Sequence, residues 1–248
     1  MAGFGNAKEN KQVKTEIERT KQEALQLYKQ GNMFMAKKIL EKSLQLYPEN
    51  GFLLGFLATV EKAIGNNRKA LLLFEQSIKI EPDNPSILNN YSGLLEGEDL
   101  AKAVALSDSA VEISPNNSDY LQRNGYLRWQ YGDLKGALKA SIKAIEINPS
   151  LAGAFLNIGG IYKDLGNLDQ ALASTLKSLD LKPDNPGALT NLFSSYGEGD
   201  LPVLKSTARR ALDHNQEILN DLTYIEALSS LGKDFAKNII PTTASINQ

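Results

Sequence analysis

The chain contains no cysteine, one histidine and one tryptophan among its 248 residues. Disulfide bonds, thiolate metal sites and cysteine nucleophiles are therefore excluded, and so are metal sites built from several histidines. The single histidine, His214, falls near the end of a predicted helix, where the helix dipole favours a cation. We expect neither a metal nor any other cofactor.

An excess of charge of either sign is also lacking. The 27 basic and 29 acidic side chains give a net charge of −2, whereas nucleic-acid-binding proteins typically carry a basic patch or stripe. The most apolar stretch, residues 51–60, has about half the length that a membrane span requires, and the polar N-terminus has no secretory core. These absences predict a cytoplasmic protein whose partners include neither nucleic acid nor a membrane.

A nearly constant spacing of small residues runs along the chain. Glycines, alanines and prolines each recur with a period of about 34 residues, which is typical of stacked helix–turn–helix units. The three series are Gly31, Gly65, Gly132, Gly166; Ala36, Ala70, Ala103, Ala137, Ala171; and Pro48, Pro82, Pro115, Pro149, Pro183. Only the glycine series omits a member, because one unit has an irregular turn. We therefore predict an all-α solenoid of about six units.

The unit boundaries carry cap and turn residues. A glycine that ends a helix adopts the left-handed conformation without a Cβ penalty, and the Asn or Asp behind it is suited to cap the next helix. Small residues also come seven positions before each turn glycine, where we expect the two helices of a unit to cross. The cap residues are Asn32, Asn66, Asp133 and Asn167, and the crossing residues are Ala24, Ala58, Gly125 and Gly159.

This pattern resembles that of the tetratricopeptide repeat (TPR) family over about residues 17–216. The best match is residues 152–184, through Phe155, Ile158, Gly159, Tyr162, Gly166, Ala171 and Pro183. The resemblance implies a right-handed solenoid with units near 17–50, 51–84, 85–117, 118–151, 152–185 and 186–216. We expect a capping helix over 217–238, a disordered polar arm over 1–16 and a disordered tail over 239–248.

No constellation of catalytic residues stands out, so we do not expect an enzyme. The resemblance implies that the first helix of each unit lines a concave face that binds peptides, helices or partner domains, as in an interaction scaffold. An alternative is a non-catalytic subunit that recruits a glycosyltransferase or another modifying enzyme, since bacterial TPR arrays of this style resemble those fused to glycosyltransferases. A third alternative is weak self-association through the ends of the array.

Candidate binding residues lie on the predicted first helices. Arg123, Tyr126 and Trp129 share one stripe in the fourth unit, and Arg and aromatic side chains are enriched at binding hot spots. The aromatic pair either packs against neighbouring glycines, among them Gly160, or contacts a ligand.

Asparagines occupy the position of Arg123 in three other units. They are Asn90, Asn157 and Asn191, and they resemble the asparagine ladder that holds a peptide backbone in O-linked N-acetylglucosamine transferases. An amide suits a main chain because it both donates and accepts hydrogen bonds. A further patch of Tyr28, Phe52 and Phe56 forms either an apolar end of the groove or buried contacts between helices.

Overall fold

The computed structural model describes residues 3–195 and residue 206. Within these residues, eleven α-helices follow one another and no strand occurs. The helices are α1 (Gly3–Lys29), α2 (Met33–Leu46), α3 (Gly51–Ala63), α4 (Asn67–Ile80), α5 (Pro85–Leu95), α6 (Leu100–Ile113), α7 (Ser118–Tyr131), α8 (Leu134–Ile147), α9 (Ala152–Asp164), α10 (Leu168–Leu181) and α11 (Pro186–Ser195). The capping helix, the tail and most of the second half of the sixth unit lie outside the described residues.

The chain divides into two compact units, Met1–Pro115 and Asn116–Gln248. We call these the first unit and the second unit, and from here on each helix–turn–helix element is called a repeat. In each unit, an odd-numbered helix packs along the even-numbered helix that follows it. Odd-numbered helices of successive pairs also meet, as α3 meets α5, α7 meets α9 and α9 meets α11. We call the surface that the odd-numbered helices of one unit form its first-helix face. None of the described helices is both long and apolar enough to cross a membrane.

The turn glycines adopt the conformation that the sequence predicts. Gly31, Gly65, Gly132 and Gly166 have φ angles of 75, 85, 90 and 77°, a region in which side chains with a Cβ are strained. The cap prediction is correct for Asn32 and Asp133, whose side chains accept from backbone N–H groups of the next helix. It is wrong for Asn66 and Asn167, which make no such bond.

The small residues at the helix crossings have the predicted packing role. A Cβ at Gly125 would collide with the side chain of Ser141, and one at Gly159 would collide with that of Thr175. In the first unit, Ala24 and Ala58 occupy this same position of their repeats, and both are completely buried. A larger side chain would separate the two helices of the pair.

The N-terminal segment differs from the expected disordered arm. Residues 3–16 are helical and continue without a break into the rest of α1. The segment contains no proline, and its two glycines, Gly3 and Gly5, cost a helix much less than a proline would. The Tyr47 hydroxyl donates to a carboxylate oxygen of Glu16 at 2.9 Å, which attaches this part of α1 to the end of α2 and raises the pKa of Tyr47.

A buried carboxylate joins neighbouring helix pairs in the first unit. Glu61 on α3 is completely buried and lies 2.9 Å from Nζ of Lys37 on α2 and 2.6 Å from Nζ of Lys69 on α4. The side-chain amide of Asn66 donates to Glu61 at 2.7 Å, which explains why Asn66 does not cap its helix. Burial raises the pKa of Glu61, but these hydrogen bonds and charges outweigh burial and lower the pKa to about 2.

Candidate functional site

Trp129, the predicted hot-spot residue, lies across two neighbouring first helices of the second unit. Its indole Nε1 donates to a carboxylate oxygen of Asp164 on α9 at 2.6 Å. A Cβ added at Gly160 would collide with its ring, so the ring fills the space beside that glycine. Tyr126 packs edge-on against it, with ring centroids 6.4 Å apart. Of the two interpretations from the sequence, packing is the one that this geometry supports.

Asn157 also connects first helices. Its side chain is only 3% exposed, and Nδ2 donates to the backbone carbonyl of Gln122 on α7 at 2.9 Å. The side chain of Gln122 in turn occupies the space beside Gly153 on α9. Arg123 and Tyr126 on α7 and Asn191 on α11 are half-buried. The first-helix face of the second unit is therefore filled where α7 meets α9.

The first-helix face of the first unit is open. A cavity of about 430 Å³ lies among α1, α3 and α5, and we call it the unit-1 groove. Buried Gly55 and Ile87 line it together with three aromatic side chains. The ring of Phe56 packs edge-on against those of Tyr28 and Phe52, with centroids 6.1 and 6.0 Å apart. The sequence left two alternatives for these aromatics, an apolar end of the groove or contacts between helices. In the structure they do both, since the rings contact one another and also line the groove.

Polar side chains line the groove on α1, α3 and α5. Nδ2 of Asn90 donates to the hydroxyl of Thr59 at 3.2 Å, and this hydroxyl donates to the carbonyl of Gly55 at 2.9 Å. These two bonds orient the amide of Asn90, and its Oδ1 has no hydrogen-bond partner among the described residues. Gln22 on α1 and Ser86 on α5 are exposed. The groove therefore combines an apolar base with amides from two different helices.

Two opposite charges also line the groove. Nζ of Lys21 lies 4.1 Å from the centroid of the Phe52 ring and 3.8 Å from a carboxylate oxygen of Glu18. The Lys21 side chain is 28% exposed and that of Glu18 is 60% exposed. The ammonium thus lies against the aromatic wall, while the carboxylate extends into solvent.

Of the predicted peptide-binding residues, only Asn90 lines the unit-1 groove. The sequence analysis did not assign Lys21, Leu25 or Thr59 to a site, although the repeat contains a signal for this location. The position of Asn90 within its repeat corresponds to Phe56 one repeat earlier and to Gln22 two repeats earlier. All three line the groove, so extending the asparagine series toward the N-terminus identifies its location.

Comparison with known proteins identifies the repeat. Residues 152–185 match the family model of the tetratricopeptide repeat. The chain has the TPR fold. No curated protein sequence matches it. The family-model match covers a single repeat of 34 residues.

Solved structures share the fold. The pilF protein of Pseudomonas aeruginosa is 19% identical with a TM-score of 0.70, over 86% of this chain and 97% of that one. PilW, described as a type IV pilus biogenesis factor, is 20% identical with a TM-score of 0.67 and the same coverage of 86% and 97%. YrrB, described as a TPR protein with an unusual peptide-binding site, is 23% identical with a TM-score of 0.57, over 71% and 95%. These similarities confirm an all-α fold of the α-solenoid kind.

Proposed function

We propose that this TPR protein is an interaction scaffold that binds a peptide segment of a partner protein in the unit-1 groove. The observation that carries the proposal is the groove itself, an open cavity of about 430 Å³ on a first-helix face. It combines an apolar base with the amides of Gln22 and Asn90, the combination that small binding sites typically use for affinity and orientation.

The apolar base would supply most of the affinity. An aliphatic or aromatic side chain that enters between Tyr28, Phe56 and Ile87 leaves water, and such burial contributes about 1.5–3 kcal/mol. The three rings pack against buried residues of the α1–α3 core. They are therefore held in place before a ligand arrives, which reduces the entropy cost of binding.

The amides would hold the main chain of the peptide. Oδ1 of Asn90 can accept from a backbone N–H, because Nδ2 is already engaged by Thr59. The exposed amide of Gln22 can both donate and accept from α1. YrrB, a solved structure of similar fold, is described as having a peptide-binding site, which supports a peptide as the ligand proposed here.

In the second unit, Arg123, Tyr126 and Asn191 stay proposed peptide contacts. Trp129 and Asn157 receive a different proposed role, since each makes a hydrogen bond between α7 and α9. We propose that they fix these two helices against each other and support the face instead of contacting the ligand.

A pair of leucine variants tests the site. Leu25 lines the groove and is 45% exposed, whereas Leu72 on α4 is 55% exposed and does not line it. Leu25→Arg should weaken the binding of a peptide selected from a displayed random library by about tenfold or more, because it places a charged chain in the groove. Leu72→Arg should bind as the wild type does. Equal affinities of the wild type and both variants would contradict the location of the site.

The second hypothesis, a subunit that recruits a glycosyltransferase or another modifying enzyme, stays a prediction. Co-purification of such an enzyme with the wild type but not with the Leu25→Arg variant would support it. Concentration-dependent light scattering tests the third alternative, weak self-association.

A further inference from the structure

We infer that the unit-1 groove selects segments in which an acidic side chain lies within a few residues of an apolar one, and that Lys21 binds the carboxylate. This inference rests on the proposed function and adds the chemistry of the partner. It follows from the positions of the two charges that line the groove, Lys21 and Glu18.

Lys21 is placed to interact with a ligand. Its ammonium lies over the face of Phe52, with Nζ 4.1 Å from the ring centroid, so ring and charge attract each other. The lysine side chain is 28% exposed, and a peptide that covers the groove would remove more of its water. An ammonium that loses water in this way interacts more strongly with an anion, because the effective dielectric constant falls.

Glu18 is a weak counterion that a ligand can replace. Its carboxylate oxygen lies 3.8 Å from Nζ of Lys21, which is longer than a hydrogen bond. The two residues are three positions apart on one helix and Glu18 is mostly exposed, and ion pairs of this kind contribute little to stability. Exchanging Glu18 for a ligand carboxylate in a shorter, charge-assisted hydrogen bond is therefore favourable.

The same arrangement disfavours a basic segment. A ligand ammonium near the aromatic wall would be repelled by the ammonium of Lys21. The nearest anion to such a ligand is Glu18, and because Glu18 is well solvated, solvent screens the attraction between the two. Lys21 and Glu18 are the only charged residues among those that line the groove in the described part of the chain. The electrostatic preference of the site thus depends on these two residues.

Selection of displayed random peptides on the full chain tests the inference. Peptides displayed by their C-terminal end present no free α-carboxylate, so any acidic preference comes from side chains. We expect the wild type to enrich peptides that pair an aromatic or branched aliphatic residue with a nearby Asp or Glu. Replacing that acid by its amide should weaken binding of the selected peptide about tenfold at low salt.

Two variants should shift the affinity of the selected peptide in opposite directions. Lys21→Met keeps most of the apolar stem and should weaken binding about tenfold, whereas Glu18→Gln removes the competing anion and should strengthen it about twofold to fivefold. Lys38→Met and Glu23→Gln are matched controls, since both residues are exposed and lie outside the groove. Both controls should bind as the wild type does.

The outcomes separate the inference from the proposed function. Enriched peptides without an acidic preference, or weaker binding by Glu18→Gln, would overturn the inference and leave groove binding intact. Enrichment of basic peptides would also overturn it. If no peptide is enriched, or if the selected peptides ignore Leu25→Arg, the proposed function itself fails.

Discussion

Tyr28 and Trp129 occupy the same position of the repeat, three residues before a turn glycine, but lie in different surroundings. Tyr28 borders an open groove in the first unit, whereas Trp129 covers a glycine in the second. The difference originates in the facing position of the next first helix, which is Thr59 in α3 and Gly160 in α9. Only the glycine leaves space for the ring, so the neighbouring residue decides whether an aromatic at this position packs or lines a groove.

A second pair of equivalent positions differs in charge. Glu61 in the first unit and Arg128 in the second each lie four positions before a turn glycine. Glu61 is completely buried, whereas Arg128 forms a partly exposed ion pair with Asp133. We expect Glu61→Ala to lower the free energy of unfolding by about 3 kcal/mol and Arg128→Ala by at most about 1 kcal/mol.

Urea denaturation of the two variants measures this difference. Glu61→Ala leaves Lys37, Lys69 and Asn66 without their shared partner, whereas Arg128 and Asp133 can each be solvated. Equal losses for the two variants would show that the buried carboxylate has no special role in the first unit.

The same carboxylate should make the first unit sensitive to acid. The pKa of Glu61 is lowered from 4.5 to about 2, so its contribution is complete above pH 4.5 and is lost as the pH falls from there through about 2. The wild type should lose ~2 kcal/mol more than Glu61→Gln over this range. Thermal melts between pH 6 and 2 check this, and parallel losses by the two proteins would refute the assignment.

Gly160→Ala should disturb the packing of Trp129. The added Cβ collides with the indole ring, and overpacking of this kind costs about 1–3 kcal/mol. The emission of Trp129 should shift to longer wavelength as the ring leaves its place. Adding Trp129→Ala should recover part of the lost stability, and additive losses in the double variant would argue against direct contact.

Two asparagines at the same repeat position should differ in a similar way. Asn157→Ala leaves the carbonyl of Gln122 without its buried partner, at a cost of about 1–2 kcal/mol. Asn90 is half-buried, so Asn90→Ala should cost less than about 1 kcal/mol and should instead weaken peptide binding. Denaturation and binding measured on both variants test this, and a larger loss of stability for Asn90→Ala would reverse the assignment.

The sequence predicts the helix pairs because their signals are local. A left-handed glycine, such as Gly31 or Gly132, ends the first helix of a repeat, and small residues let its two helices cross. Both signals act within one repeat and do not depend on the residues of the next repeat. Asn66 shows where local reasoning fails, since it follows a turn glycine as a cap residue should. Its amide is instead engaged by Glu61, a buried acid at a position that carries Tyr162 in the best-matching unit.

The site was only partly predictable, because it depends on contacts between successive repeats within the first unit. Asn90 and the aromatic patch are visible in the sequence, but a groove exists only if the facing positions do not fill it. Trp129 is of a residue type that is enriched at binding hot spots, and yet its ring packs against Gly160 on the next first helix. Residues about one repeat apart must therefore be compared as pairs before a surface residue is assigned to binding.

Single-tryptophan proteins test the central comparison most directly. In the wild type, the only tryptophan is Trp129, and in the variant Tyr28→Trp, Trp129→Phe the only tryptophan lies beside the unit-1 groove. A saturating amount of the selected peptide should change the emission of the variant and leave that of the wild type unchanged. A change in the wild type with none in the variant would place the binding face in the second unit and contradict the account.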